Sequence, residues 1–316
     1  MSRSAPARVA GGPILAGLAL AAACGDAEPD RPGPMAQNPS PMVETTRAHE
    51  RLPETPPPGT RLELDAGLDA PVRLYLPPSD RDPERLLVHF HGAAYVPEHA
   101  VHDAPGAWAL ATVHLGAGSG VYDQAFAEPA AFRRLLDVAR AGMAEAGNPE
   151  PRPDDVVLSG FSAGCAAIRA ILRDPWAAGT VHAVLMLDGI HTGYLPPRTP
   201  LADGGRLDTE PLASLDAFAR RALAGAKTML VTHSEIFPGT FASTTETADW
   251  LLDRLGLERT PVLAWGPVGM QQLSHTRAGG FRLMGFAGNT APDHVDHFHG
   301  LAGWLTAVRR PSPQPR

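Results

Sequence analysis

One stretch constrains the fold of this chain more than any other. An apolar, β-branched run at residues 155–158 leads into a Gly-x-Ser-x-Gly turn centred on Ser162, and an alanine-rich segment with helical spacing follows. This order predicts a strand, a sharp turn and a helix. Glycines flank the serine because a serine held at a tight corner needs neighbours without bulky side chains. We therefore expect the Ser162 hydroxyl to stand above the sheet.

The first 24 residues have the features of an export signal. Arg3 and Arg8 precede an apolar run of small residues that ends at Cys24. The run is too short for a convincing membrane span. Its end resembles the lipobox of bacterial lipoproteins, although Ala21 stands where leucine is usual. The sequence predicts a signal peptide over 1–24 and a lipid anchor at Cys24, or plain secretion, with the protein in the periplasm or at the cell surface.

The rest of the chain divides by composition into three parts. Residues 25–58 are rich in proline and have no hydrophobic period, which predicts a disordered tether. Residues 59–310 are long enough for one large α/β domain, and residues 311–316 form a tail. The net charge of −7 and the absence of a Lys/Arg stripe argue against nucleic acid as a partner.

The domain alternates apolar strands with helical segments, which predicts a mostly parallel central sheet flanked by helices. Residues 61–64 and 72–76 alternate polar and apolar side chains, as strands with one wet face do. Further strands are predicted at 86–90, 109–115, 181–187, 228–232 and 281–286. Helices are predicted over 129–146 and after Ser243, where Glu246 completes a capping box.

Two further residue types that a reactive serine needs occur at suitable places. Asp188 ends the strand after the serine helix, at the sheet edge where ligands of open parallel sheets bind. From there it can reach a histidine that in turn reaches Ser162. The loop after the last strand carries His294, our first choice for the base, and His297, the second choice.

Several loops permit other interpretations. His294, His297 and His299 have the short spacing of metal ligands, but no cysteine or second histidine pair is placed to complete a zinc site, so no metal and no cofactor are predicted. The loop 116–120 lacks the register of a dinucleotide site and is expected to shape a rim. Residues 260–280 are expected to form an inserted loop or small hairpin near the site.

The chain order Ser162, Asp188, His294 resembles that of the α/β-hydrolase fold, from about Arg61 to Arg309. An aspartate that ends the strand directly after the serine helix is similar to the arrangement in thioesterase domains and some lipases. In many members the acid follows the next strand instead, which makes Glu235 the alternative to Asp188. The resemblance implies a serine hydrolase that forms an acyl-enzyme with a small-molecule or polymer ester.

The resemblance also implies an oxyanion hole. The loop His91-Gly92-Ala93-Ala94 and the residue after the serine supply its backbone N–H groups in such enzymes, which points to Ala93 and Ala163. Loop position alone suggests Tyr95, His191 and Tyr194 as substrate-binding residues. A peptidase or amidase, a polyester depolymerase, an acyltransferase and a non-catalytic binding protein are the alternatives on the same fold.

Overall fold

A ten-stranded mixed sheet runs through the part of the chain that the computed structural model describes, residues 51–148 and 155–308. The strands of this sheet are β1 Thr60–Leu64, β2 Val72–Leu76, β3 Arg85–Phe90, β4 Trp108–Val113, β5 Asp155–Phe161, β6 Val181–Leu187, β9 Thr228–His233, β10 Thr260–Trp265, β11 Gln271–Ala278 and β12 Phe281–Phe286. Two short strands, β7 Tyr194–Leu195 and β8 Arg206–Leu207, form a separate ribbon. The spatial order is β1-β2-β4-β3-β5-β6-β9-β12-β11-β10. The strands from β4 to β12 in this order are parallel, and the outer pairs are antiparallel. The predicted α/β fold class with a mostly parallel central sheet is confirmed.

Helices cover both faces of this sheet. They are α1 Tyr95–Asp103, α2 Ser119–Ala125, α3 Pro129–Glu145, α4 Cys165–Ile171, α5 Pro175–Thr180, α6 Ala213–Leu223, α7 Thr244–Leu255, α8 Ala291–His299 and α9 Leu301–Leu305. On β6, Val184 and Met186 join the core under α3, α4 and α6, whereas Leu185 joins the core under α1 and α9. This alternation explains why the central strands are apolar at every position.

Two local predictions can be compared directly with the helices. The helix predicted over 129–146 is present as α3 and ends one residue earlier. At α7 the Ser243 hydroxyl accepts a hydrogen bond from the Glu246 N–H at 3.1 Å, and the Glu246 carboxylate accepts one from the Ser243 N–H at 2.8 Å. The capping box is therefore confirmed.

The segment 260–280 forms the hairpin of β10 and β11, which extends the sheet beyond β12. It is part of the sheet rather than an inserted loop. Register shifts interrupt the pairing of β10 with β11 and of β11 with β12, and these irregularities hide the strand alternation in the sequence.

The start of the described chain lies against the domain. The Arg51 guanidinium is 2.9 Å from the Asp296 carboxylate, and the Leu52 N–H donates to His299 Nδ1 at 3.1 Å. The Tyr75 hydroxyl donates to the Pro58 carbonyl at 2.7 Å. Residues 51–58, which composition assigns to the tether, therefore contact the folded domain.

The remaining N- and C-terminal predictions lie outside the described residues. These are the signal peptide over 1–24 with its anchor at Cys24, the tether up to residue 50, and the tail 311–316. They stay predictions. Within 51–148 and 155–308, none of the helices has the length and hydropathy needed to cross a bilayer.

Candidate active site

Ser162 occupies a strained corner between β5 and α4. Its φ of 49° is in the left-handed region, which costs a non-glycine residue about 1–3 kcal/mol. A Cβ on Gly164 would lie 2.1 Å from the Phe90 carbonyl oxygen, and one on Gly160 would lie 2.9 Å from the Cys165 nitrogen. Only glycine fits at these two positions, which explains the Gly-x-Ser-x-Gly pattern.

Asp188 lies directly after β6, next to β5 in the sheet, and is only 3% exposed. One carboxylate oxygen accepts hydrogen bonds from the Ser234 N–H and the Thr244 hydroxyl, each at 2.8 Å. The other accepts one from the Ser234 hydroxyl at 2.7 Å. Both oxygens of this buried carboxylate are thus held by donors from two other loops.

His294 completes the arrangement from α8. Its Nδ1 is 2.7 Å from Asp188 Oδ2. An ionised carboxylate only accepts hydrogen bonds, so Nδ1 carries the proton and Nε2 of the neutral ring is an acceptor. The ring packs on Phe161, with centroids 4.5 Å apart. The histidine is therefore fixed in both tautomer and orientation.

The surroundings of Asp188 favour its charged form. Burial by itself raises the pKa of this carboxyl group, but the electrostatic interaction with His297 and the hydrogen bond from His294 act in the opposite direction. The Ser234 N–H adds to them, and together they hold the pKa of Asp188 well below its usual range. Asp188 is consequently ionised at neutral pH.

Ser162, Asp188 and His294 line one cavity of about 730 Å³ at the carboxyl end of the parallel strands. Part of its wall is apolar and comes from Ile236, Pro238, Phe241, Pro211 and Ala117. Ala117 and Ser119 come from the loop 116–120 and the start of α2, in agreement with the rim expected there. No residue of the 260–280 hairpin lines this cavity, so the expectation that this segment lies near the site is wrong.

The alternative acid and base lie elsewhere. Glu235 is exposed, and its carboxylate accepts a hydrogen bond from the Gly288 N–H at 3.3 Å. His297 is buried, with Nδ1 2.8 Å from the Thr232 hydroxyl and its ring against Phe286. Neither residue is among those that line the cavity.

The metal interpretation of the three histidines requires their side chains to converge. His294 contacts Asp188, His297 contacts Thr232, and His299 accepts from the Leu52 N–H. Among the described residues there is no group of three or more His, Cys, Asp or Glu side chains that could hold a metal ion.

The other predicted site residues are distributed over several places. Ala163 and His191 line the cavity. Ala93 and Tyr95 line a different cavity, with Glu98. Tyr194 is buried, its hydroxyl donates to Glu246 at 2.7 Å, and it is not among the residues that line the cavity.

Sequence reasoning missed three residues of this site. Ser234 and Thr244 donate to Asp188, and Arg169 lines the cavity. Ser234 follows directly after β9, and that position was the available signal, since residues after parallel strands share one sheet edge. Arg169 lies seven positions after Ser162, on the helix that follows the turn, which was also readable from the sequence.

No protein family and no curated protein matches this sequence. Among solved structures, the chain is similar to LpqC, a poly(3-hydroxybutyrate) depolymerase from Bordetella parapertussis, with 17% identity and a TM-score of 0.43 over 81% of this chain and 92% of that one. It is also similar to EstE1, a thermophilic carboxylesterase cloned from a metagenomic library, with 11% identity and a TM-score of 0.47 over 82% and 92%.

A third similar structure is a Pyrococcus horikoshii acylaminoacyl peptidase, with 11% identity and a TM-score of 0.43. The match covers 82% of this chain and 43% of the peptidase. The structures that the chain is similar to thus include a depolymerase, an esterase and a peptidase, all of them hydrolases.

Proposed function

We propose that this chain is a serine hydrolase that cleaves carboxylic esters through an acyl-enzyme, with Ser162 as nucleophile, His294 as base and Asp188 as the group that orients the base. The observation that carries the proposal is the 2.7 Å contact between His294 Nδ1 and Asp188 in the cavity that Ser162 also lines. A serine on a left-handed corner beside such a pair is the arrangement that nucleophilic catalysis requires.

Acylation follows from this arrangement. The Ser162 hydroxyl oxygen attacks the ester carbonyl carbon while His294 Nε2 accepts the hydroxyl proton. Asp188 stabilises the resulting imidazolium and stays ionised, because its pKa is held low. The alcohol leaves with the proton from His294, and a water molecule then repeats the cycle on the acyl-enzyme.

The developing oxyanion needs backbone donors. The Ala163 N–H, at the first turn after the serine, is the donor on the cavity side. We propose that the second N–H comes from the loop 91–94. This loop packs tightly against the turn, since a Cβ on Gly164 would lie 2.7 Å from the His91 Cβ.

The cavity suits a small ester with an apolar part. Its volume of about 730 Å³ is within the range of small-molecule sites, roughly 300–1,000 Å³. Phe241 lines it and is 42% exposed, so an apolar surface is available to substrate at the mouth. Burial of an acyl chain there contributes roughly 25 cal/mol for each Å² removed from water.

The test is active-site labelling of the full-length chain with a fluorophosphonate, followed by peptide mapping and by assays on short 4-nitrophenyl esters and the matching anilides. We expect label on Ser162, ester turnover above anilide turnover, and a loss of about 10³- to 10⁶-fold in kcat for Ser162→Ala. Ser119→Ala, which removes another hydroxyl from the same cavity, is the control and should keep parental turnover.

Each other outcome has a definite meaning. A folded parent protein that does not react at Ser162 would contradict the proposal and favour the non-catalytic binding protein. Label on Ser162 with faster anilide than ester turnover would favour the peptidase or amidase.

A further inference from the structure

Arg169 places a positive charge on the wall of the Ser162 cavity. It lies on α4, seven residues after Ser162, and both residues line the cavity. Ser162 precedes this helix, whereas Arg169 lies on its second turn. The guanidinium therefore belongs to the same cavity and is set apart from the Ser162 corner.

The hydrogen bonds of this guanidinium are incomplete. Nη1 donates to the His191 carbonyl at 2.8 Å, whereas Nε is buried and has no hydrogen-bond partner. No carboxylate of the described residues lies within ion-pair distance of it. Arg173, one turn further on, differs in this respect, because it pairs with Asp123 at 2.8 Å. Arg169 is only partly buried and lines the cavity, so the part of the guanidinium beyond Nε has hydrogen-bonding capacity for a ligand.

The other ionisable groups of the cavity do not supply the missing partner. Asp188 is committed to His294, Ser234 and Thr244. Asp208 also lines the cavity, beyond ion-pair distance of Arg169; burial lowers the pKa of Arg169, and the charges of Asp123 and Asp208 act in the opposite direction. Burial, and then the charge of Arg169, lower the pKa of His191 to about 4, so this ring is neutral at pH 7. Among the described residues that line the cavity, Arg169 is thus the one permanent cation.

We propose that Arg169 binds a carboxylate of the substrate, so that the preferred substrates are esters that carry a carboxylate several bonds away from the scissile carbonyl. This inference rests on the proposed ester hydrolysis at Ser162. A guanidinium matches a carboxylate through parallel N–H···O bonds, and such charge-assisted bonds are about twice as strong as neutral ones. Half-esters of dicarboxylic acids and esters with an anionic leaving group are the two substrate forms that satisfy this chemistry.

The experiment compares matched substrates on the full-length chain. The first pair is the mono-4-nitrophenyl ester of adipic acid and 4-nitrophenyl hexanoate, which differ in one terminal carboxylate. The second pair is 3-carboxyphenyl butanoate and phenyl butanoate. In this pair the anionic ester carries its charge on the leaving group. The quantity measured is the ratio of kcat/KM for the anionic ester to that for the neutral ester.

For Arg169→Gln we expect this ratio to fall about 10- to 100-fold in one of the two pairs, mainly through KM for the anionic ester. Arg169→Lys keeps the charge but not the planar fork, and should give an intermediate ratio. Arg173→Gln removes a guanidinium from the same part of the chain, outside the cavity, and should keep the parental ratio.

Fluorophosphonate labelling of every variant separates the two proposals. Parental labelling of Arg169→Gln together with an unchanged ratio in both pairs would overturn the role of Arg169 and leave ester hydrolysis at Ser162 standing. Absence of labelling and of ester turnover in the parent would overturn both. If Arg169→Gln does not fold, Arg169→Lys decides the matter, and a parental ratio in that variant would count against the proposal.

Discussion

Two buried aspartates lie at opposite ends of the same sheet and differ in how they are held. Asp155 begins β5 and pairs with Arg85 at the start of β3, with Nε 2.7 Å from one carboxylate oxygen. The other oxygen of Asp155 and Nη2 of Arg85 are buried without hydrogen-bond partners. Asp188 follows the opposite end of β6, and donors from Ser234, Thr244 and His294 occupy both of its oxygens.

The difference separates a structural ion pair from the carboxylate of the proposed catalytic group. The Arg85 guanidinium also stacks over Trp108 at 4.0 Å, so the pair joins three neighbouring strands far from the cavity. One of the hydrogen bonds of Asp188 joins it to a histidine that faces the cavity, whereas the others fix the carboxylate itself. Asp155 is 4% exposed and Asp188 is 3% exposed, so burial does not distinguish the two residues. Their hydrogen-bond partners do.

The largest effect is expected on catalysis at the Asp188 end. Asp188→Asn leaves His294 without a negative partner and permits the wrong ring tautomer, so kcat for 4-nitrophenyl esters should fall about 10⁴-fold. Glu235→Gln, the same chemical change at the alternative acid, should keep parental kcat. A large loss in Glu235→Gln together with a small one in Asp188→Asn would reverse the assignment.

The second effect is expected on stability at the Asp155 end. Asp155→Asn leaves the Arg85 charge buried and uncompensated, which should lower the free energy of unfolding by about 3–5 kcal/mol, measured by urea titration. Asp137→Asn breaks an exposed pair with Arg140 and should cost about 0–1 kcal/mol. Turnover per folded molecule should not change in either variant. Equal costs for the two would show that the buried pair contributes no more than a surface pair.

The smallest effect is expected on the pH dependence of stability, at the buried contact between His233 and Arg259. His233 is next to Ser234 in the chain, and this contact contains no carboxylate. His233 Nε2 lies 2.7 Å from Arg259 Nη1 and accepts a hydrogen bond from it, so the ring is neutral. Burial, and then the Arg259 charge, lower the pKa of His233 to about 4. The folded pKa is below the unfolded value of about 6.5, so this stabilisation is complete above pH 6.5 and is lost as the pH falls towards 4.

Between pH 7.5 and pH 5.5 this loss amounts to about 1 kcal/mol from His233. His233→Gln should therefore show a decrease in unfolding free energy over this interval that is smaller than the parental decrease by about that amount. His102→Gln, at an exposed histidine, should keep the parental pH dependence. Identical pH dependences for the parent and His233→Gln would contradict the depressed pKa.

The sequence predicts the central strands well because each is a continuous apolar run that ends in turn residues. The bounds of β2, β6 and β12 agree with the predicted ranges. The helix α1, Tyr95–Asp103, was not predicted, because Pro97 and several polar residues obscure its apolar spacing. The hairpin of β10 and β11 was predicted only as one of two alternatives, an inserted loop or a small hairpin, since its register shifts break the period of two.

The candidate site divides in the same way. Ser162, Asp188 and His294 follow from their positions after strands, because the topology brings such positions to one edge. The donors to Asp188 were not foreseen, since Ser234 and Thr244 are 46 and 56 residues from it in the chain and only the packed fold brings them together. Arg169 has no carboxylate partner among the described residues, and this likewise depends on the packed fold, which no local pattern encodes.

The backbone at the carboxyl edge has a consequence for engineering the protein. His91, Ser162 and Asp188 follow the adjacent strands β3, β5 and β6, and all three have positive φ, at 73°, 49° and 43°. Replacement of such a residue by glycine is a common stabilising change, because it relieves the conformational penalty. Here the same replacement would delete a side chain of the proposed catalytic group at two of the three positions. A gain in thermal stability at these residues would therefore come at the expense of turnover.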